Sequence, residues 1–470
     1  MRESSGDPIE FATTTDVNGT RVGRQVAARE YQSMAGRGLA GESVVADAAA
    51  QPIHLPKLGS ADIAILVGAS LLPLATGIYL IQSVGWLIGL LASWIALPVA
   101  AGVGAFLAFV WTIPIRKTDI LSIRRVAQVF DLSLDPPPGA PKASISVVMP
   151  VYNGLDYLRR SLPPLMDLMA RGEITEVLVV DDGSTDATAE FARSLGATVM
   201  SSGGRKGPGA ARNEAAKIAK GDILWFVDAD VVVHPEAPQY VQAAFYHDDL
   251  VAVFGSYDDR PPGQNFGSQY KNLVHHHYHQ HADPEASTFW SGCGAVRKRA
   301  FLDVGGFDQA KFGQPSVEDV DMGYRLRAAG GHIRLDRRLL STHLKIWSVP
   351  ELVKTDIFKR AIPWARMMLT GEGVLDDLNV GTAERLRAVL AGITVLALAA
   401  AAVGFLPVWW LAPVLLTTVT GNWHLFRLFA KARGALFAAA GLAFHQIYYL
   451  YSSMTFVLCW AEVRLLHRAS

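Results

Sequence analysis

Ile223-Leu224-Trp225-Phe226-Val227-Asp228-Ala229-Asp230-Val231-Val232-Val233 is an apolar run of strand character, interrupted by two aspartates one residue apart. In a strand, residues i and i+2 project to the same side, so the two carboxylates should leave the strand end together. Unpaired charges at the tip of a buried strand are costly, which argues for a use. A hard cation such as Mg2+ or Mn2+ is held by one or two carboxylates together with substrate phosphates. The stretch therefore reads as a strand that delivers a metal–diphosphate site. The plainer alternative is a solvated Asp-rich turn.

On either side, residues 144–345 alternate short β-rich runs with helical segments, the pattern of an α/β domain with a largely parallel sheet. Strands are expected at Ile145–Val151, Val177–Val180, Ala197–Met200 and Ile223–Val227, and helices at Leu155–Ala170, Thr188–Leu195 and Pro208–Ala219. In such sheets ligands bind beyond the carboxyl ends of the strands. The first strand ends Met149-Pro150-Val151-Tyr152-Asn153-Gly154 and the second Val179-Val180-Asp181-Asp182-Gly183-Ser184. These two tips offer an aromatic ring, a backbone edge and a carboxylate able to accept a nucleobase N–H. Aspartate also favours caps and turns, so one of the pair can cap while the other binds.

Gly203-Gly204-Arg205-Lys206-Gly207-Pro208-Gly209-Ala210-Ala211-Arg212-Asn213 opens the next helix. Glycines let the backbone approach a ligand, and basic side chains offset phosphate charge. The Gly-Lys-Ser/Thr ending of a P-loop is missing. Farther on, Pro315-Ser316-Val317-Glu318-Asp319 places acids where a helix begins. They suit the first helical turn, and one of them suits a general base acting on an acceptor hydroxyl. His343 lies on a later strand or loop. It is either structural or a neutral imidazole that completes a metal site begun by Asp230. The histidine-rich stretch His275–His281 lacks zinc-site spacing and is expected near the acceptor cleft or membrane.

The rest of the chain sets the surroundings. Of 470 residues half are hydrophobic and the formal net charge is zero, so bulk charge gives no reason to expect a nucleic-acid partner. Two cysteines far apart argue against a disulfide framework and fit a reducing compartment. Residues 1–60 read as a flexible tail without a secretory signal. Apolar stretches at Ile63–Ile81 and Trp86–Ile115 are each long enough to cross a bilayer, giving an expected transmembrane hairpin over 61–116. Arg116, Lys117, Arg124 and Arg125 follow it and place the next domain in the cytoplasm. Residues 117–143 form a linker stiffened by Asp135-Pro136-Pro137-Pro138. The catalytic domain is expected over 144–349 and an amphipathic interface helix over 350–380. About three further spans, near 386–405, 407–426 and 435–460, occupy 384–462. Together these predict a multi-pass protein of the plasma membrane. His445, Gln446, Tyr448, Tyr449 and Tyr451 in the last span face either protein or a lipid-acceptor pathway, or form an interfacial belt.

Asn153-Gly154 after a strand, Asp181-Asp182-Gly183-Ser184-Thr185-Asp186, Asp228-Ala229-Asp230 and Glu318-Asp319, in this order and spacing, resemble the family 2 glycosyltransferases of the GT-A fold, and the flanking apolar stretches resemble its membrane-embedded members. The resemblance covers roughly 145–345. It implies a GT-A domain set between transmembrane helices and inverting transfer from a nucleotide sugar, usually UDP-linked, with Mg2+ or Mn2+. It further implies that Pro150, Tyr152, Asn153 and Asp182 meet the nucleotide, with Lys206 nearby. Asp228 and Asp230 would hold nucleotide and metal, and His343 would be a further metal ligand. Asp319 would be the general base, with Glu318 beside it. Phe289-Trp290-Ser291-Gly292-Cys293-Gly294 falls where the family lines the acceptor site, with Trp290 and Gly292 as contacts. The Gln-x-x-Arg-Trp of processive members is replaced by Arg360-Ala361-Ile362-Pro363-Trp364-Ala365-Arg366, which speaks for non-processive transfer to a lipid-linked or glycan acceptor. Arg360, Trp364 or Arg366 could still close over the diphosphate. A catalytically idle nucleotide-sugar transporter or scaffold, a processive synthase and a nucleotidyltransferase are the alternatives.

Overall fold

The computed structural model describes residues 133–370 and 380–469. The expected tail and first hairpin, most of the linker, and residues 371–379 of the expected interface helix lie outside these residues.

Strand β1 (Ile145–Val151) is buried along its whole length. It pairs in parallel with β2 (Glu176–Asp181) on one side and β4 (Ile223–Val227) on the other, and β2 pairs in parallel with β3 (Thr198–Ser201). The register Val151↔Asp181 sets the tips of β1 and β2 side by side. This half matches the sequence expectation to within a residue or two at each end.

The other half does not run parallel throughout. Among the described residues one nine-stranded sheet has the order β3-β2-β1-β4-β8-β6-β9-β5, with β7 (Glu285–Ala286) paired to β9. Strand β8 (Cys293–Arg297) runs antiparallel to both β4 and β6 (Leu250–Tyr257), β9 (His332–His343) runs parallel to β6, and β5 (Val231–Val233) runs antiparallel to β9. The sheet is therefore mixed. The apolar run 223–233 is not one strand but two, β4 and β5, joined by a turn at Asp228–Asp230 that is closed by Val231 N–H donating to the Asp228 carbonyl at 3.0 Å. The two aspartates therefore sit in a turn, and no strand pleat sets their directions.

Both faces of the sheet are covered. On helix α1 (Leu155–Ala170), Leu158, Leu162, Leu165 and Leu168 follow helical spacing and pack with Val147 and Met149 of β1. Helices α2 (Thr188–Ser194), α4 (Ala237–Phe245), α5 (Phe266–His281) and α6 (Lys298–Asp303) fill the remaining connections. On the opposite face, α3 (Pro208–Ile218) and α7 (Glu318–Ala328) bring Ala211, Ala215, Met322 and Leu326 against Val148, Leu224 and Phe226. Each fully buried large side chain contributes about 1.5–3 kcal/mol, so the strand tips rest on a rigid base.

After the sheet, α8 (Val349–Lys354) runs into a π-helix at Thr355–Ala361 and then α9 (Ile362–Thr370). Helices α10 (Thr382–Ala402), α11 (Leu411–Gly421) and α12 (Trp423–Ala469) follow, the last broken at Gly434, where φ is +86°. Among the described residues α10 is the one helix both long and apolar enough to cross a membrane. The multi-pass arrangement expected from the sequence finds no further support there. Helix α11 has 11 residues, about 16 Å at 1.5 Å per residue, against a hydrocarbon core of about 30 Å. Helix α12 buries His445, Gln446 and Tyr449 against protein.

A buried polar pair pins β5 to β6. His234 Nε2 lies 3.1 Å from Asp258 Oδ2, and the Thr342 hydroxyl donates to the same oxygen. The Asp258 contact raises the His234 pKa against the effect of burial. Burial opposes ionisation of Asp258, but His234 and Thr342 outweigh it and hold the carboxyl below its usual value. The histidine contribution is complete below its ordinary pKa and is lost as pH rises through the raised value. The carboxylate contribution is present above its ordinary pKa and is lost as pH falls through the lowered one. A His234→Gln variant should thus be destabilised by about 1 kcal/mol near pH 5.5 and by less at pH 8.5, read from thermal melts of both proteins at each pH.

Candidate active site

The turn Asp228–Asp230 sits where β4, β8, β9 and α1 meet. Asp228 N–H donates to the Gly292 carbonyl at 3.1 Å, which fixes the loop before β8 to the turn. The Ser161 hydroxyl of α1 donates to the Ala229 carbonyl at 2.7 Å. Antiparallel pairing of Val231 with His343 carries the end of β9 to the same place. His343 Nε2 then stands 3.5 Å from Asp230 Oδ2. Asp228, on the same turn, is paired through Oδ1 with the buried guanidinium of Arg212 on α3.

Asp319 comes to this rim from the start of α7. Its Oδ2 accepts from the Ser291 N–H at 3.2 Å and the Ser291 hydroxyl at 3.3 Å. Glu318 is buried and accepts from Ser316 N–H at 2.7 Å, which closes the turn just before the helix. The acids feel one another. Burial, followed by the charges of Asp230 and Asp319, pushes Asp228 up in spite of Arg212. Burial and then Asp319 likewise push Glu318 up. Burial also opposes ionisation of Asp230, but the His343 contact and the charges of His343 and Lys345 prevail, so its carboxyl stays below the usual range. Crowded carboxylates of this kind favour a bound cation.

Asp230 and His343 are the two neighbouring side chains here that could hold a divalent ion. Arg212 engages one oxygen of the third expected acid, Asp228. Among the described residues no three His, Cys, Asp or Glu side chains form a cage. Two protein donors fit an ion that takes its other ligands from a diphosphate and water.

The neighbouring rim is formed by the tips of β1 and β2. Asp181 Oδ1 accepts from Ser184 N–H at 2.9 Å, and Asp186 Oδ1 accepts from Thr188 N–H at 3.1 Å, so these two do the turn and cap work. Asp182 is buried and holds the glycine-rich loop. Its Oδ1 accepts from Lys206 N–H (2.9 Å) and the Ser202 hydroxyl (2.6 Å), and its Oδ2 from Gly207 N–H (2.8 Å). Asn153, at φ +45°, accepts from Thr185 N–H at 2.7 Å and ties the two tips together. Tyr152 is exposed, with the Arg205 guanidinium over its ring at 4.2 Å. Lys206 is exposed, and Pro150 is buried within β1, so its side chain is part of the core.

Behind His343 lies an aromatic layer. Tyr257 stacks on His343 at 4.4 Å with 7° between planes. Trp290 and His275 contact Tyr257 at 4.8 and 4.3 Å between centroids. The histidine-rich stretch is helical, and His275 and His279 pack beside Trp290. Gly292 is required here because a β-carbon would strike the Trp290 indole at 2.6–2.8 Å. Gly292→Ala should displace Trp290 and lower turnover about tenfold or more. The melting midpoint would shift by a few degrees at most, a split that kinetics and calorimetry on one sample would reveal.

Two expected contacts belong elsewhere. Arg366 forms a forked pair with Glu462 of α12 at 2.9 and 3.0 Å. Trp364 packs with Ala365, Met368 and Phe456, and its Nε1 donates to the Tyr324 hydroxyl at 3.3 Å. Both build the joint between α9 and its neighbours. Arg360 is exposed on the π-helix, and its charge reaches Tyr257 and His275. Sequence reasoning gave no role to Arg212 or Tyr257. Only Arg212 left a signal: an arginine among Ala210, Ala211, Ala215 and Ala216 lies on a stripe that must be buried.

A mixed α/β domain whose carboxylates gather beyond the parallel strand ends defines a class that binds a phosphorylated ligand at that rim. Residues 146–305 match the family model described as glycosyl transferase family 2, and the domain they form is a family 2 glycosyltransferase domain. A pre-mycofactocin glycosyltransferase of Mycobacterium tuberculosis is 30% identical over 223 residues, 44% of each chain. A validoxylamine A glucosyltransferase of Streptomyces hygroscopicus is 29% identical over 228 residues, 40% of this chain and 52% of its own. The chain thus spans about half the length of these curated relatives. A solved mannosyltransferase from Pyrobaculum calidifontis, in complex with GDP-Man and Mn2+, is 19% identical, covering 78% of this chain and 96% of its own at a TM-score of 0.39.

Proposed function

We propose that the protein transfers a sugar from a nucleoside-diphosphate sugar, UDP-linked by resemblance, to the hydroxyl of a lipid-linked or glycan acceptor at the cytoplasmic membrane face. One sugar is added per acceptor, with inversion. The observation that carries this reading is the convergence of Asp228, Asp230 and Asp319 on one rim, with His343 beside Asp230.

The acceptor oxygen bonds to the anomeric carbon as the bond from that carbon to the diphosphate oxygen breaks. The acceptor proton passes to Asp319, held for this by Ser291. The electron pair leaves with the nucleoside diphosphate, and no covalent enzyme intermediate is needed. Mg2+ or Mn2+ at Asp230 and His343, when bound, supplies positive charge opposite the leaving group. Arg212 keeps Asp228 in place beside the donor. Tyr152 and the loop organised by Asp182 offer a nucleobase platform, and Trp290 walls the acceptor side. Helix α10 and the exposed Val408, Trp409, Leu416 and Leu436 suit a bilayer, with the stacked Trp409–Trp410 pair at the α10–α11 corner fit for its interface.

The test is product analysis. Full-length protein in membranes or detergent would be given UDP-glucose, UDP-N-acetylglucosamine or GDP-mannose with Mn2+ and extracted lipid. Release of nucleoside diphosphate is expected. Release of pyrophosphate would mean nucleotidyl transfer, and donor binding without turnover on any acceptor would mean a binding scaffold.

A further inference from the structure

Asp356 lies inside the π-helix, buried at 5% relative exposure, and both of its carboxylate oxygens are engaged from different parts of the molecule. Lys271 of α5 brings Nζ to 2.5 Å from Oδ1, and the Tyr451 hydroxyl of α12 donates to Oδ2 at 3.1 Å. Lys271 is itself only 17% exposed, so the pair is largely desolvated. Removing one partner of such a pair leaves an uncompensated buried charge. A π-turn inside an α-helix is rare, and such turns are frequent at functional sites.

The segment that Asp356 anchors touches the turn that leads into α7. The Ser316 hydroxyl, two residues before Glu318, donates to the Lys359 carbonyl at 3.1 Å. Arg360, one turn beyond Asp356, is exposed, and its charge is felt at Tyr257, which stacks on His343, and at His275. The extra residue of a π-turn rotates everything after it by about 100° relative to a regular helix. Whether Arg360 faces the rim thus depends on that turn being kept.

We propose that Asp356, clamped by Lys271 and Tyr451, is a positioning residue that holds the π-turn so that Arg360 meets the diphosphate of the bound donor. The inference rests on the donor reading above. It makes the seating of the C-terminal helix on the catalytic domain a condition for gripping the donor's phosphates but not its base.

The experiment is calorimetric binding of UDP, with uridine as the phosphate-free probe, to the full-length protein in detergent with Mn2+. GDP and guanosine would be run in parallel. Arg360→Ala and Asp356→Asn are each expected to weaken diphosphate binding about tenfold and to leave nucleoside binding unchanged. The double variant should bind no more weakly than Arg360→Ala alone, because the two act as one unit. Tyr451→Phe, which removes a single hydroxyl, should move the same way by about threefold and guards against gross misfolding of the charge variant. Wild-type affinity in Asp356→Asn, or an Asp356→Asn loss undiminished in the Arg360→Ala background, overturns the inference while the donor reading stands. A wild-type protein that binds neither UDP nor GDP overturns the donor reading, and the inference with it.

Discussion

Asp319→Asn is expected to lower turnover by about 10^2- to 10^4-fold, the range for loss of a positioned general base. Donor affinity should change little. The carboxylate is half-exposed at the start of α7 and held by both Ser291 donors, so an amide of the same shape keeps the fold and the packing. It cannot take the acceptor proton. Glu318 is the control. It is buried, holds the Ser316 N–H in the turn before the helix and is pushed toward its protonated form by burial and by Asp319. Glu318→Gln should therefore cost stability more than rate. Steady-state kinetics of both variants, with a melt of each, separates the two roles. Full activity in Asp319→Asn would remove the base assignment.

Asp230→Asn should have an effect of similar size by another route. Asp230 is the acid that the structure keeps ionised, through His343 and Lys345. It is also the one whose oxygen stands beside a second candidate ligand. Neutralising it removes the charge that would hold a cation against the diphosphate, and loss of one such preorganised electrostatic element costs about 10^2- to 10^3-fold in rate. His343→Ala should be milder in rate but should raise the Mn2+ concentration needed for half-maximal activation. The same activation curve as wild type would argue against a ligand role. Asp228→Asn should differ from both, since it breaks the pair with Arg212 and leaves a buried guanidinium unpartnered. Its signature should be a lowered melting midpoint, because the charge buried at Arg212 loses its partner.

The strand tips were legible because a parallel α/β unit must present ligands at the carboxyl ends of its strands, and apolar runs ending in Tyr152-Asn153, Asp181-Asp182 and Asp228 mark those ends. The turn inside 223–233 was not. Three valines after Asp230 continue the apolar run, and only the pairing of β5 with β9 shows that the chain has reversed. The partner strand lies far along the sequence, and nothing local encodes it. The closeness of His343 to Asp230 is a product of the same pairing, so the resemblance to a family could anticipate it where periodicity could not. Asp182 shows the opposite limit. Its type and place were legible, but its hold on the backbone of Lys206 and Gly207 depends on how a glycine loop folds back. The π-turn at Thr355–Ala361 was invisible because its mixed apolar and basic residues satisfy an ordinary amphipathic helix. Arg366 and Trp364, considered for the diphosphate from a motif position, follow that turn and instead bond to α12 and α7. The C-terminal stretches were read as spans from length and hydropathy alone, whereas Glu384, His445 and Tyr449 are buried against one another by a polar network.

The most direct measurement is a structure of the full-length protein with UDP and Mn2+, the metal located by its anomalous signal. The account predicts one metal peak in contact with Asp230 and His343, bridging to the diphosphate, with Asp319 opening onto the same hollow. A peak elsewhere, or a nucleotide bound away from the tips of β1, β2 and β4, would contradict it.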